Sequence, residues 1–240
     1  MVKMEVMEKC GLSINSIYRA TEGEGVLVGS PQIFVRFQGC NIGCVNCDSK
    51  DTWDFPLEST LSLEEVIDRV YEVGFQGKLK RVSITGGDPL HPKNTPGVLA
   101  LTKELKSRGY WINIEAAGTR IVPEIFDLVN FISFDYKTPS THVRTNPKLI
   151  SKLVEQYQGK YQVKSVVQDS RDFSDVLECR RQLFEDDDVT WVLTPSYIPG
   201  EAMPLERFQD VIEWNEREGA PFRVIGQQHK WIHGPDKQQV

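Results

Sequence analysis

The sequence has no long hydrophobic run. No stretch approaches 18 consecutive apolar residues, so a membrane-spanning helix is not expected. Positive charge is also in short supply: Lys and Arg total 28 against 34 Asp and Glu, a net charge of -6. That balance argues against a general binder of nucleic-acid backbone. Met1 to Gly11 lacks the apolar centre of a secretory signal, and a cytoplasmic protein is expected. Internal repeats, low-complexity tracts and interdomain linkers are missing, so the 240 residues are expected to form a single domain. Cysteine is scarce, five in all, and Cys10 and Cys179 stand far from the other three. In a reducing compartment this is no disulfide framework. The acidic run Glu185–Asp186–Asp187–Asp188 is expected to close a helix and solvate a turn.

What is present is concentrated at Cys40–Asn41–Ile42–Gly43–Cys44–Val45–Asn46–Cys47. Three thiols in eight residues, spaced C-x3-C-x2-C, can wrap one loop around a common point. Thiolates so spaced hold zinc or an iron–sulfur cluster. Structural zinc normally takes four protein ligands, and Cys10, Cys179, Asp48 or a histidine could supply the fourth. A cubane held by three cysteines leaves one iron open to a small molecule. The spacing resembles the cluster loop of the radical S-adenosylmethionine (SAM) enzymes, which implies a 4Fe-4S cluster on Cys40, Cys44 and Cys47 with SAM on the open iron.

Around the loop the chain alternates strand and helix. Leu12 to Arg19 and Pro31 to Gln38 read as strands, the second leading into the cysteines. Ser62–Leu63–Glu64–Glu65 is a capping box before an apolar helical stripe that stops at Gly74. Strands are expected at 80–85, 110–114, 131–134, 161–167, 189–193 and 222–225. Helices are expected between them, one of them capped by Thr95 with Pro96 in its first turn. About six βα units follow Pro31, which predicts an α/β fold, an incomplete (β/α)6-type TIM barrel. Its parts are a loop at 19–30, the cysteine loop at 39–53, a core to about residue 226 and a tail at 227–240. Cysteines, glycine pair, Glu115, Lys137, Asp169, Ser196 and His229 all follow strands, and so are expected on one rim.

Gly86–Gly87–Asp88–Pro89 by itself is an ordinary turn. One βα unit after the cysteines, it resembles the Gly-Gly-Glu-Pro element of the radical SAM enzymes, whose backbone receives the SAM amine. Glu115 is either a loop cap or, by the same resemblance, an acceptor for the SAM ribose. Lys137 is either a surface lysine paired with Asp135 or, with Asp135 and Tyr136, the counterpart of a Ser-Pro-Lys element that contacts SAM. By the same resemblance Thr194–Pro195–Ser196–Tyr197 occupies another SAM-contacting strand end, Asn46 stands where many relatives carry an aromatic residue beside the adenine, and Cys47 and Asp48 are implied to bind SAM. His229 is read as a packed histidine and not as a base.

A narrower resemblance spans nearly the whole chain. Glu22–Gly23–Glu24–Gly25, Gly29, Pro31, Phe34, Arg36, Gly39–Cys40–Asn41, Cys44, Cys47–Asp48–Ser49, Thr52–Trp53 and Gln228–His229–Lys230 together are similar to the 7-carboxy-7-deazaguanine synthases of queuosine and archaeosine synthesis. That family usually carries Gln where Glu22 stands. The resemblance implies a pterin substrate held by Thr21, Glu22, Gly23, Glu24, Arg36 and Thr85, with Arg36 on its carboxylate and Mg2+ on Ser49. It also implies a homodimer and an external flavodoxin- or ferredoxin-type electron donor. The expected reaction is a radical ring contraction of 6-carboxytetrahydropterin with loss of ammonia. Without substrate, Arg36 could pair with Glu22 or Glu24. Two other readings are weighed against this one: an activase making a glycyl radical on a partner enzyme, and a non-enzymatic zinc module.

Overall fold

The protein is described by a computed structural model covering residues 11–240 except 57, 59, 185–188, 199, 202 and 235. Cys10 and the acidic run at 185–188 therefore lie outside the described residues. The strands are β1 (Leu12–Thr21), β2 (Pro31–Phe37), β3 (Thr60–Leu61), β4 (Arg81–Gly86), β5 (Trp111–Ala116), β6 (Phe131–Asp135), β7 (Tyr161–Val167), β8 (Trp191–Pro195) and β9 (Arg223–Val224). The helices are α1 (Leu63–Val73), α2 (Thr95–Ser107), α3 (Pro123–Phe126), α4 (Pro147–Gln156), α5 (Ser170–Leu183), α6 (Leu205–Arg217) and α7 (Gln228–His233).

All nine strands join one sheet, ordered β3-β1-β2-β4-β5-β6-β7-β8-β9. From β2 onward the neighbours run parallel, with a helix or loop crossover between each pair, as strand–helix alternation requires. The sheet does not close, since β3 and β9 each have one partner. This is the expected incomplete barrel. Two elements were not legible beforehand: the short edge strand β3, and α7 within the presumed tail.

Alternation along each strand sorts the side chains. Ile33, Val35, Val82, Ile84, Ile112, Ile114, Ile132, Phe134 and Val163 are fully buried and belong to the core shared with the helices. The opposite face is polar. Register places Arg36 beside Thr85, Ser83 beside Asn113, Glu115 beside Ser133, Ser133 beside Gln162, and Asp135 beside Lys164. Hydrogen bonds cross the strands on this face: Asn113 Nδ2 donates to Ser83 Oγ at 2.9 Å, and Gln162 Nε2 donates to Ser133 Oγ at 2.9 Å. The barrel interior is thus a polar cavity wall, built by the period-2 side-chain rule.

Local chemistry sets several boundaries. Ser62 forms the capping box with Glu65 as expected. The N-cap of α2 is Asn94 and not Thr95, but the Asn94 side chain makes no cap bond and instead donates to the carbonyls of Gln38 and Asp88, both at 2.9 Å. Asp169 is occupied in capping α5, accepting from the amides of Arg171 and Asp172.

Candidate active site

The cysteine loop leaves the C-terminal end of β2 and closes on the glycine turn after β4. A Cβ on Gly87 would meet Thr52 O at 2.7 Å, Gly39 O at 2.8 Å and Cys40 Cβ at 2.9 Å. One on Gly86 would run into the backbone of Phe37. The glycine pair is therefore demanded by close approach, a physical reason beyond turn preference. The amide of Asp88 donates to Gly39 O at 2.9 Å and ties the two segments together.

Cys40, Cys44 and Cys47 are free and half-buried. Burial pushes the thiols of Cys40 and Cys44 upward, and Lys137 opposes this at Cys44. Among the described residues no three His, Cys, Asp or Glu side chains converge as a single metal ion requires. A cubane takes one thiolate at each of three separate irons, so it asks less convergence of its ligands. Three sulfurs on one glycine-containing loop suit its soft irons.

The remaining rim residues divide. Lys137 donates to Asp135 Oδ2 at 2.6 Å, the pair foreseen for them. Glu115 faces inward and accepts from Asn113 Nδ2 at 2.7 Å. The hydroxyls of Thr194 and Ser196 are buried with no partner, two unused polar groups at the end of β8. Pro195 and Tyr197 border a cavity of about 500 Å3 with Phe208, Gly226, Lys230 and Trp231. Tyr136 turns away: its hydroxyl donates to Asp175 Oδ2 on α5 at 2.7 Å and its ring packs on Trp191. Only its backbone stays at the rim. Asn46 and Asp48 are exposed.

The loop after β1 arrives from the other end. Thr21 pairs with Pro31, the first residue of β2, so residues 22–30 start at the floor of the barrel and not at its rim. Thr21 itself is exposed there. The next residues turn inward. Val26 N donates to Gln162 Oε1 at 2.8 Å, near the start of β7. Glu22 is buried and accepts from Gln32 Nε2 at 2.7 Å and from Glu24 N at 3.1 Å. Burial, then Glu115 and Glu24, outweigh Lys164 and push the Glu22 carboxyl up to about 7. Glu24 shows the opposite balance. Burial pushes it upward, but Lys164, His229 and the hydrogen bond from Gln227 hold it at about 2.

Arg36 pairs with neither glutamate. Its Nη1 donates to Ser49 Oγ at 3.1 Å and its Nη2 to Tyr18 Oη at 3.2 Å. The reason is direction: Arg36 sits near the rim end of β2 beside Thr85, whereas Glu22 and Glu24 rise from the floor. Glu24 instead meets Lys164 Nζ at 2.9 Å and Gln227 Nε2 at 2.6 Å. Lys164, Gln162, Asn113 and Gln227 were missed from the sequence. A polar residue two places from another polar residue in an apolar strand was the available signal. His229 is also closer to the site than expected. A Cβ on Gly23 would strike its imidazole, and burial lowers its pKa, which keeps the ring neutral.

A family model described as a 4Fe-4S single cluster domain matches residues 21–121. The 7-carboxy-7-deazaguanine synthase of Escherichia coli (strain K12) is 33% identical over 153 residues, 57% of this chain and 60% of the relative. The aligned part thus spans about 60% of that protein's length. The enzyme of the same name from Leptospira interrogans is 27% identical over 96% of this chain and 99% of its own. That from Bacillus cereus is 26% identical over 98% of each. The chain is similar to these 7-carboxy-7-deazaguanine synthases over nearly its whole length. The crystal structure of QueE from Escherichia coli superposes with a TM-score of 0.70 at 23% identity, covering 95% of this chain and 99% of that one. Streptococcus suis SuiB matches with a TM-score of 0.51 at 16% identity, over 79% of this chain and 47% of its own. Both structures share the fold of this chain, the incomplete barrel.

Proposed function

We propose that the protein is a radical SAM carbon–nitrogen lyase that converts 6-carboxy-5,6,7,8-tetrahydropterin to 7-carboxy-7-deazaguanine and ammonia. The observation that carries this reading is the contact of Arg36 with Ser49. A guanidinium rooted in β2 reaches the hydroxyl two residues past the third cysteine, so an acid-binding group and the cysteine loop share one wall. No net oxidation occurs: both carbon–nitrogen bonds of the expelled ring nitrogen break, a carbon–carbon bond closes the contracted ring, and that nitrogen leaves as ammonia.

When bound, the cluster and SAM would supply the one-electron, hydrogen-abstracting chemistry. The chain's own residues bind and orient. Cys40, Cys44 and Cys47 hold the cluster, and the Gly86–Gly87 backbone takes the SAM amine. Glu115 accepts from the ribose, while the unpartnered hydroxyls of Thr194 and Ser196 meet SAM at the β8 end. Asp135 and Lys137 flank the same molecule. Glu24, ionised, accepts from the donor-rich edge of the pterin, with Glu22 and the Gly23 backbone beside it. Arg36 offers its planar fork to the substrate carboxylate, and Thr85 lies next to it. Ser49 Oγ donates to Asp48 Oδ1 at 3.0 Å, an oxygen pair of the kind magnesium uses. No side chain is assigned as general base.

The protein is placed in the cytoplasm as a homodimer, reduced by a flavodoxin- or ferredoxin-type donor. Among the described residues no helix is long and apolar enough to cross a membrane. Substituting Arg36→Ala tests the substrate assignment. We expect KM for the pterin to rise about 10- to 100-fold, as loss of a charge-assisted pair implies, with SAM affinity unchanged. Full turnover at wild-type KM would refute it.

A further inference from the structure

Lys164 has no assigned role, yet it stands where the two halves of the interior meet. It is the fourth residue of β7, between Gln162, which holds the floor loop, and the strand's rim end. Its ammonium is close to three carboxylates from three different elements: Glu24 of the floor loop at 2.9 Å, Glu115 of β5 at 3.6 Å and Asp135 of β6 at 3.8 Å. Only the first distance is a hydrogen bond; the other two are charge contacts just beyond that range. Asp135 has its own partner in Lys137. Glu22 adds a fourth acid nearby, and His229 approaches Glu24 from α7. Burial alone would strip the proton from such a lysine, but the three carboxylates more than reverse this.

The acids divide by level. Glu24 belongs to the loop that enters from the floor, whereas Glu115 and Asp135 belong to strand ends that face the rim. Lys164 has three donors and one bonded acceptor, with two more acceptors less than an ångström further away. A ligand in the interior that engages Glu24 would compete with Lys164 for that carboxylate and release the ammonium toward Glu115 and Asp135. The reverse motion returns it.

We propose that Lys164 is a positioning residue that couples the substrate pocket to the SAM pocket, so that pterin bound at Glu24 fixes Glu115 and Asp135 for SAM. This rests on the function proposed above. Coupling is reciprocal: each ligand tightens the other by the same factor.

The test is equilibrium binding of SAM to anaerobic protein with its cluster reconstituted and left oxidised, with and without saturating 6-carboxytetrahydropterin. In the wild type the pterin is expected to tighten SAM roughly 5- to 150-fold, the usual range of such coupling. In Lys164→Met both ligands bind and the ratio falls to near one. The exposed Lys78→Met variant serves as control and keeps the wild-type ratio. Lys164→Met leaves three acids facing one another and could fail to fold, so Glu24→Gln provides a second reading. Without pterin it frees the ammonium and should tighten SAM toward the pterin-bound wild-type value. Full coupling in Lys164→Met, or unaltered SAM affinity in Glu24→Gln, overturns the proposal. A wild type that binds SAM but not the pterin sinks the substrate assignment instead, and Glu24→Gln still decides whether Lys164 links the two levels.

Discussion

At the scale of single residues, the floor of the barrel carries an imbalance of charge. Glu22 and Glu24 are two residues apart, yet one is pushed up to about 7 and the other held at about 2. Lys164 accounts for the difference, because it bonds Glu24 and only influences Glu22 at longer range. Glu22 binds its proton more tightly folded than unfolded. Its contribution to stability is therefore present at low pH and lost as pH rises from about 4.5 through about 7. Glutamine at this position cannot titrate. The stability of Glu22→Gln relative to wild type should improve by about 2–3 kcal/mol between pH 5 and pH 8. Urea melts at the two pH values measure it, and a pH-independent difference would show that Glu22 stays ionised throughout. Gly23 permits a second prediction. A methyl there meets the His229 ring, so Gly23→Ala should cost about 1–3 kcal/mol, and adding His229→Ala should recover most of it. A loss that persists in the double variant would place the strain in the loop backbone.

At the scale of elements, β7 joins floor and rim. Gln162 uses both ends of its amide, one on Val26 N and one on Ser133 Oγ, so it pins the floor loop to the sheet. Gln162→Leu should destabilise the fold by about 1–3 kcal/mol through the unpaired donor. It should also speed hydrogen exchange at the Val26 amide, and unchanged protection there would contradict the pinning. The same strand marks what could be read beforehand. The seven parallel strands were legible because their apolar halves meet the helices and stand out as Val- and Ile-rich runs. Their polar halves were hidden in the same runs. Lys164 lies among Val163, Val166 and Val167, and only an every-other-residue reading separates it from them. The capping box at Ser62 was legible because it is purely local. Asn94 was not, since its choice of Gln38 and Asp88 carbonyls depends on a segment 56 residues away. The family resemblance groups Arg36 with Glu22 and Glu24 and leaves an ion pair among them open, but antiparallel pairing of β1 with β2 starts their loop at the opposite end.

At the scale of the whole molecule, two sets of residues enter one polar interior from opposite ends. The cysteine loop and glycine turn close on each other at the rim, and Glu22 to Val26 fill the floor. The motifs of the rim were legible as local patterns, three cysteines and a glycine pair, and the family resemblance gave them their chemistry. The pocket between rim and floor depends on register across five strands, which no local pattern announces. The central claim is that this interior contracts a pterin ring. It is tested most directly by anaerobic incubation with a strong reductant, SAM, Mg2+ and 6-carboxytetrahydropterin, with products read by mass. The account predicts 7-carboxy-7-deazaguanine and ammonia in equal amounts, over many turnovers, with no net loss of SAM. SAM cleavage with the pterin left untouched would contradict it.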